Sequence, residues 1–432
     1  MKRIIVWFKT DLRLHDNETL VQAIAQSDEV IPVYCIDDSH FRTTEFGFLK
    51  TGNFRTKFLL ESLLDLDKNL RAIGSGLCLV SGKPEVEIPK LVDIYGAQKV
   101  FAQKEVAYEE LQTQAAVETT LEQYNCVLET FSTSTLYRAQ DLPFPLKDIP
   151  DVFTRFRKNV EAESTIRDGF VEPSVINSPE IEPLQLPSMS ELGLEEVVPD
   201  SRASFVFKGG ESEGKKRLSS YLFETQSVSS YKETRNGLIG ENYSSKFSAW
   251  LALGCLSARQ IYHEIKRYEE EVGANESTYW LVFELLWRDY FRYMMKKHKQ
   301  RFFMQHGIKS SEKNTIKHNP IFFNNWVNGK TGNDFIDANM FELKLTGFMS
   351  NRGRQNVASY LCHQLKLDWR WGAAYFEQQL IDYDVCSNWG NWAYLAGVGN
   401  DLRGSRAFNT EKQAEEYDKN KAYRTLWLNK QE

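Results

Sequence analysis

The chain has no apolar run approaching the roughly 18 residues that a membrane-spanning helix needs. Its N-terminus is Met1-Lys2-Arg3, then only Ile4–Phe8 before Lys9 and Asp11, which is too short for a secretory leader and reads as a strand. Cys35, Cys78, Cys126, Cys255, Cys362 and Cys386 are scattered, with no CxxC pair and no histidine at zinc-finger spacing. A disulfide scaffold and a structural zinc site are therefore excluded, no metal is expected, and a reducing, cytoplasmic setting is. No glycine fingerprint of the GxGxxG type follows the first apolar run; Asp11–Asn17 stands there instead. There is no internal repeat and no low-complexity tract, and Glu411–Glu432 reads as a short closing helix that is expected to leave no room for a long regulatory tail. Membrane, secreted, collagenous and wholly disordered classes all drop out.

What remains is a soluble chain of 432 residues, long enough for two or three domains, with 42% hydrophobic residues to build their cores. Aromatics are abundant: 10 Trp, 19 Tyr and 27 Phe supply rings that pack cores and also stack on flat ligands. The net charge of −6 conceals an uneven distribution. Val171–Asp200 holds seven acidic residues and no Lys or Arg, whereas Arg288–Lys330 holds ten Lys or Arg against two acids. Such a basic stretch is either a solvated helix face or a surface that attracts a polyanion.

Hydrophobic periodicity divides the chain. Apolar, β-branched runs at Ile4–Phe8, Val30–Cys35, Leu77–Val80, Val100–Ala102 and Val127–Leu128 alternate with helical patterns such as Phe54–Leu70. Alternating strands and helices imply a doubly wound parallel α/β domain over residues 1–130, with ligands expected beyond the carboxyl ends of the strands. Eight of the twelve prolines fall between Pro143 and Pro199, where periodicity fades, so 131–207 reads as an interdomain linker whose acidic part runs over the surface. From 208 to 432 the pattern is that of an all-helical domain.

The chemistry-bearing residues cluster in that helical half. Tyr243-Ser-Ser-Lys-Phe-Ser248 is a hydroxyl-rich turn before a helix; it suits either an ordinary serine N-cap or a diphosphate, to which Lys246 adds a charge. Around it stand Tyr231-Lys-Glu-Thr-Arg-Asn236, Trp250-Leu-Ala-Leu-Gly254-Cys-Leu-Ser257 and Glu284-Leu-Leu-Trp-Arg288-Asp-Tyr290. Gly347-Phe-Met-Ser-Asn351-Arg-Gly-Arg354-Gln355-Asn356 and Asp382-Tyr-Asp384-Val-Cys-Ser-Asn388-Trp-Gly-Asn-Trp392 follow. In order and wording these motifs resemble the photolyase/cryptochrome flavoproteins, and the resemblance extends from Val6–Asn17 almost to the C-terminus. Tyr231–Asn236 and Ser350–Asn356 resemble the DASH cryptochrome branch.

The resemblance implies an FAD site. Tyr231, Ser244, Ser245, Lys246, Phe247 and Ser248 would take the phosphates. Glu284, Arg288, Asn351, Arg354, Asp382 and Asp384 would surround the rings, with Arg354 and Asp382 paired beside the isoalloxazine. Asn388 would face flavin N5, where an amide can both donate and accept. Trp392 and Trp369 align with the inner members of an electron relay. Its outer position aligns with Ile316, which has no usable redox chemistry, so either another aromatic (Trp389 or a nearby Tyr) carries the electron out or photoreduction is slow.

The same resemblance makes Glu284 a hydrogen-bonding partner of a cyclobutane pyrimidine dimer and Trp287 its stacking platform, with Arg352, Gln355 and Tyr394 completing the substrate pocket. Enzymes that do chemistry on a base, photolyases among them, take their target out of the duplex. Tyr394 and Gln355 replace a Trp and a Met of classical photolyases. That makes the pocket more polar and less able to repay unstacking, so single-stranded DNA is the expected substrate. Arg352, Lys296, Lys297, Lys299 and Arg301 are candidates for a phosphate-tracking groove. In this branch the N-terminal half usually holds a methenyltetrahydrofolate antenna; Glu105 is its candidate anchor or, alternatively, a surface residue opening a helix. The expected function is light-driven dimer repair by electron transfer from reduced FAD, in a monomer. The alternatives are a blue-light photoreceptor read by a partner and a nucleic-acid-binding flavoprotein without light chemistry.

Overall fold

The computed structural model describes residues 1–309, 319–400 and 407–429. Five strands, β1 (Arg3–Phe8), β2 (Glu29–Ile36), β3 (Cys78–Ser81), β4 (Lys99–Gln103) and β5 (Val127–Phe131), form one parallel sheet in the order β3-β2-β1-β4-β5. Each coincides with an apolar run read from the sequence. Because side chains alternate along a strand, Ile4, Val6 and Phe8 enter one hydrophobic core and Ile5 and Trp7 another. Helices Glu18–Gln26 and Asn53–Ala72 cover the first face, through Leu20, Phe58, Leu63 and Leu66. Helices Pro84–Tyr95 and Tyr108–Leu121 cover the second, through Ile88, Val92, Val117 and Leu121. The first core is continuous with that of the helical half, so the two halves are packed together rather than tethered.

The strand order reverses between β1 and β4, the position where α/β sheets usually bind a ligand. Here the protein fills it. The Asp11–Asn17 loop after β1 is sealed by the helical half: Leu12 N–H donates to Leu253 O at 3.1 Å, and the buried Arg13 guanidinium donates to Gly254 O at 2.8 Å. Gly254 is required there, since it sits at φ 68° and a Cβ would overlap the Thr10 carbonyl oxygen.

Between Phe131 and Phe207 lies an element that the fading periodicity does not predict, helix Phe153–Glu163. It buries Phe153, Phe156 and Val160 against the first core. From Glu211 onward the chain is helical, ending in two short helices, Thr410–Tyr417 and Ala422–Leu428, rather than in a single closing one. No helix among the described residues is long and apolar enough to cross a membrane.

Candidate active site

One wall of the site is helix Glu276–His298. Its start is a capping box: the Asn275 side chain accepts from Ser277 N and Thr278 N at 2.8 and 3.0 Å, and Asn275 N donates to Thr278 Oγ1 at 3.2 Å. Three cationic-capable side chains (Lys296, Lys297 and His298) suit the negative end of its dipole. Leu281, Glu284, Leu285, Arg288 and Phe291 recur at three- and four-residue steps and therefore share a face, which lines a cleft of ≈ 570 Å³. Trp287 joins them. Its ring is stacked on Phe153, centroids 3.6 Å apart and 13° between planes, and meets Tyr394 edge-on at 6.1 Å.

The opposite wall comes from two more capped helices. Ser350 caps Asn351–Ser359, accepting from Gly353 N at 3.0 Å, and turns Asn351, Arg352, Arg354 and Gln355 into the cleft. Asp384 caps Val385–Leu395, accepting from Ser387 N at 2.7 Å. Arg354 donates to both oxygens of Asp382 at 2.9 and 3.0 Å, fixing the expected ion pair in a partly buried setting. Burial pushes the Asp384 carboxyl up, but Arg288 at 3.9 Å, the Ser387 N–H and Arg292 outweigh it and hold the group below the usual carboxylate range. A recess of ≈ 110 Å³ continues the cleft, lined by Asn388 and Trp392. Asn388 is held by an Nδ2–H bond to Ala373 O at 3.0 Å.

The floor is the Tyr243–Ser248 turn, with Tyr231 beside it. Lys246 takes a left-handed conformation, φ 62°, and is only 2% exposed. Its ammonium lies 3.5 Å from Ser204 Oγ and over the rings of Tyr243 and Phe348, at 3.3 and 4.6 Å. Burial drives its pKa well down. Among the described residues no carboxylate forms an ion pair with it. The Glu342 and Asp382 carboxylates offset that burial only in part, and an anionic ligand in the adjoining cleft would favour the charged ammonium. The residues present therefore fit the diphosphate of FAD, with Ser244, Ser245, Phe247 and Ser248 lining the same cleft.

Most of the residues singled out from the sequence are thus brought to one cleft and its recess. Trp369 lies outside them, buried, with its indole N–H donating to Gln305 O at 3.0 Å. Glu105 is also elsewhere, buried 3.7 Å from Arg292. None of Lys296, Lys297, Lys299 and Arg301 lines the cleft, and Lys297 is engaged by Asp151 at 2.8 Å. Arg352 does line it. Ile316 lies outside the described residues. Sequence reasoning missed Arg235, which pairs with Glu284 and lies 5.7 Å from the Trp280 ring centroid. Burial pushes the Glu284 carboxyl up while Arg235 opposes that shift. Arg235 stands four residues after Tyr231, one helical turn on, and that spacing could have placed it in the cleft.

Gly372 lets Trp392 approach: a Cβ at this position would overlap the Trp392 six-membered ring. G372A is expected to displace that indole, red-shifting or broadening its fluorescence and slowing flavin photoreduction. Unchanged emission and kinetics would show that the ring tolerates the methyl group.

A second cavity, ≈ 460 Å³, lies beyond the carboxyl ends of β2 and β4. Its lining joins the loop Arg42–Lys50 and residues Tyr108–Glu110 to Glu377, Tyr383 and Trp389 of the helical half. Lys50 and Arg42 pair with Glu109. Burial, with the nearby charge of Glu105, pushes the Glu110 carboxyl up to about 7.

A parallel α/β half joined to a helical half, with a deep cleft holding a buried lysine and an Arg–Asp pair, forms a site suited to a phosphate-bearing ligand. The DNA photolyase family matches residues 4–177, and the FAD binding domain of DNA photolyase matches residues 280–432. Cryptochrome DASH of Natronomonas pharaonis is 48% identical over 99% of this chain and 90% of its own length, and that of Gloeobacter violaceus is 48% identical over 99% and 85%. The crystal structure of a Synechocystis cryptochrome superposes with a TM-score of 0.96 at 45% identity, covering 99% of this chain and 89% of that one. A class III photolyase from Agrobacterium tumefaciens gives 0.82 at 26% identity, over 99% and 86%. The chain belongs to the photolyase/cryptochrome family, and within it to the DASH cryptochromes.

Proposed function

We propose that this protein uses blue light to split cyclobutane pyrimidine dimers in single-stranded DNA. What carries the reading is the joint placement of Glu284 and Trp287 in the cleft whose floor holds Lys246 and whose far wall holds Arg354 and Asp382. Bound, reduced FAD supplies the electron when excited. The chain's own side chains do the rest: Ser244, Ser245 and Lys246 hold the diphosphate, Arg354 and Asp382 orient the ring system, and Asn388 offers an amide that accommodates either protonation state of N5. Glu284 hydrogen-bonds the base edges and Trp287 stacks on one ring.

The preference for single strands rests on Tyr394 and Gln355, both in the cleft lining. Extruding a base from a duplex costs a few kcal/mol, and a pocket edged with a phenol and an amide returns less of that than an apolar one. The test is a defined thymine dimer given to the reduced, FAD-loaded protein under blue light. Repair of the single strand with little repair of the duplex is expected. Equal repair would remove the pocket argument and keep the enzyme. No repair of either, with a photoreducible flavin, would assign the chain to photoreception.

An antenna of the methenyltetrahydrofolate type belongs to the same reading. Its support is the ≈ 460 Å³ cavity, large enough for a pterin and lined by Glu109 and Glu110. Glu105, one turn of chain away, acts on that cavity through its charge on Glu110. The six free cysteines fit a reducing, cytoplasmic setting.

A further inference from the structure

The motif that ends in Trp392 contains a second tryptophan, Trp389, for which the repair reading has no use. Trp389 is 6% exposed and lines the second cavity. Its ring lies 5.7 Å from that of Trp369, edge to face at 76°. Its indole N–H points at two oxygens, Tyr383 Oη at 3.2 Å and Glu377 Oε2 at 3.4 Å. Glu377 and Tyr383 line the cavity as well. We propose that Trp389 is the outer member of the electron relay in this chain, with Glu377 as its proton acceptor, and that it is re-reduced through the second cavity. The proposal rests on the relay reading of Trp392 and Trp369.

The charges around Trp389 decide which oxidised form survives. The Arg55 guanidinium lies 4.5 Å from the Tyr383 ring centroid, and a cation there disfavours a positive hole on that ring. The hole therefore stays on Trp389 rather than passing to Tyr383, and loss of the N–H proton would turn it into a neutral radical. Glu377 is placed to take that proton. Burial raises its pKa, against the pull of Lys50, Arg55 and the Tyr383 hydroxyl, which makes its carboxylate a stronger base than an exposed one.

Each step balances. An oxidising equivalent at Trp369 draws one electron from Trp389, restoring Trp369 and leaving a radical cation. The indole N–H bond breaks, its proton passes to the Glu377 carboxylate, and a neutral tryptophanyl radical remains beside a glutamic acid. A one-electron reductant of the thiolate class, entering the cavity when no antenna fills it, then donates an electron while Glu377 returns the proton. The thiolate leaves as a thiyl radical. Ile316 would interrupt a relay of the usual kind, and this branch bypasses it.

The test is flash excitation of the FAD-loaded, antenna-free full-length protein, following the transient absorption of tryptophanyl radicals with and without dithiothreitol. The wild type should form a neutral radical that outlasts the initial charge pair and decays faster with thiol. W389F should lose the long-lived radical, leaving only a short-lived radical cation, at unchanged flavin content. E377Q should retain a radical that stays in its protonated, cationic form, and this variant remains informative if W389F folds poorly. A long-lived neutral radical persisting in W389F, or a deprotonated one in E377Q, would overturn the assignment. W392F separates the two ideas: full radical yield in that variant would remove the relay itself, whereas loss in W392F with persistence in W389F would remove only the Trp389 branch.

Discussion

Replacement of Asp16 by alanine is expected to destabilise the protein by about 3–5 kcal/mol, the range for removing one partner of a buried ion pair. Asp16 is 0% exposed and Arg259 1%. The guanidinium donates to both carboxylate oxygens, at 2.5 and 3.1 Å, and the same carboxylate accepts from Ser257 Oγ at 2.6 Å and Phe170 N at 3.0 Å. Asp16 comes from the loop after β1, Ser257 and Arg259 from the helical half, and Phe170 from the connecting segment. One carboxylate therefore ties three parts of the chain together. Alanine leaves the Arg259 charge buried without a countercharge and orphans two further donors. The double variant D16A/R259M is expected to recover much of the loss, because an apolar pair often does as well as a buried ion pair. Urea unfolding followed by circular dichroism would measure both. A loss under ~1 kcal/mol for D16A, the scale of an exposed pair, would show that water reaches the site.

The contrast between that clamp and the sheet shows what a sequence can reveal. Ile4–Phe8 and Val30–Cys35 announce strands because their own neighbours repeat the pattern, and Phe54–Leu70 announces a helix in the same way. Helix Phe153–Glu163 carried a similar signal, Phe153, Phe156 and Val160 at three- and four-residue steps, but it is short, strongly polar elsewhere and embedded among prolines. The site's wording was legible because its residues fall in compact motifs, each set by one helix cap or turn. Asp16 and Arg259 meet across 243 residues, and nothing local marks them as partners. Arg235 and Glu284 are 49 apart. The second cavity is assembled from four distant segments, so neither its volume nor the burial of Glu105 against Arg292 could be read from the short stretch around Gln103. Such features depend on how the two halves dock, and docking is decided by the shape of the whole core.

Phe153 also sets the size of the effect expected at Trp287. W287A should weaken binding of a dimer-containing single strand by about 1–3 kcal/mol, the worth of one base–aromatic stack, or roughly five- to 150-fold in Kd. The stacking of Trp287 on Phe153, with Phe153 itself 6% exposed and edge-on to Phe283 at 5.2 Å, fixes the indole before any ligand arrives. A base that stacks on it therefore orders no further side chain, which places the effect toward the upper end of that range. F153A should reproduce part of the loss without touching the ligand, by freeing the indole to rotate. Fluorescence anisotropy with a labelled oligonucleotide, damaged and undamaged, would give the numbers, and flavin absorbance would confirm that cofactor content is unchanged. The discriminating quantity is the ratio of the two affinities. If Trp287 is the platform for the lesion, W287A lowers the ratio. If both affinities fall together, Trp287 contributes to strand binding in general, and recognition of the dimer rests with Glu284 and the residues opposite it.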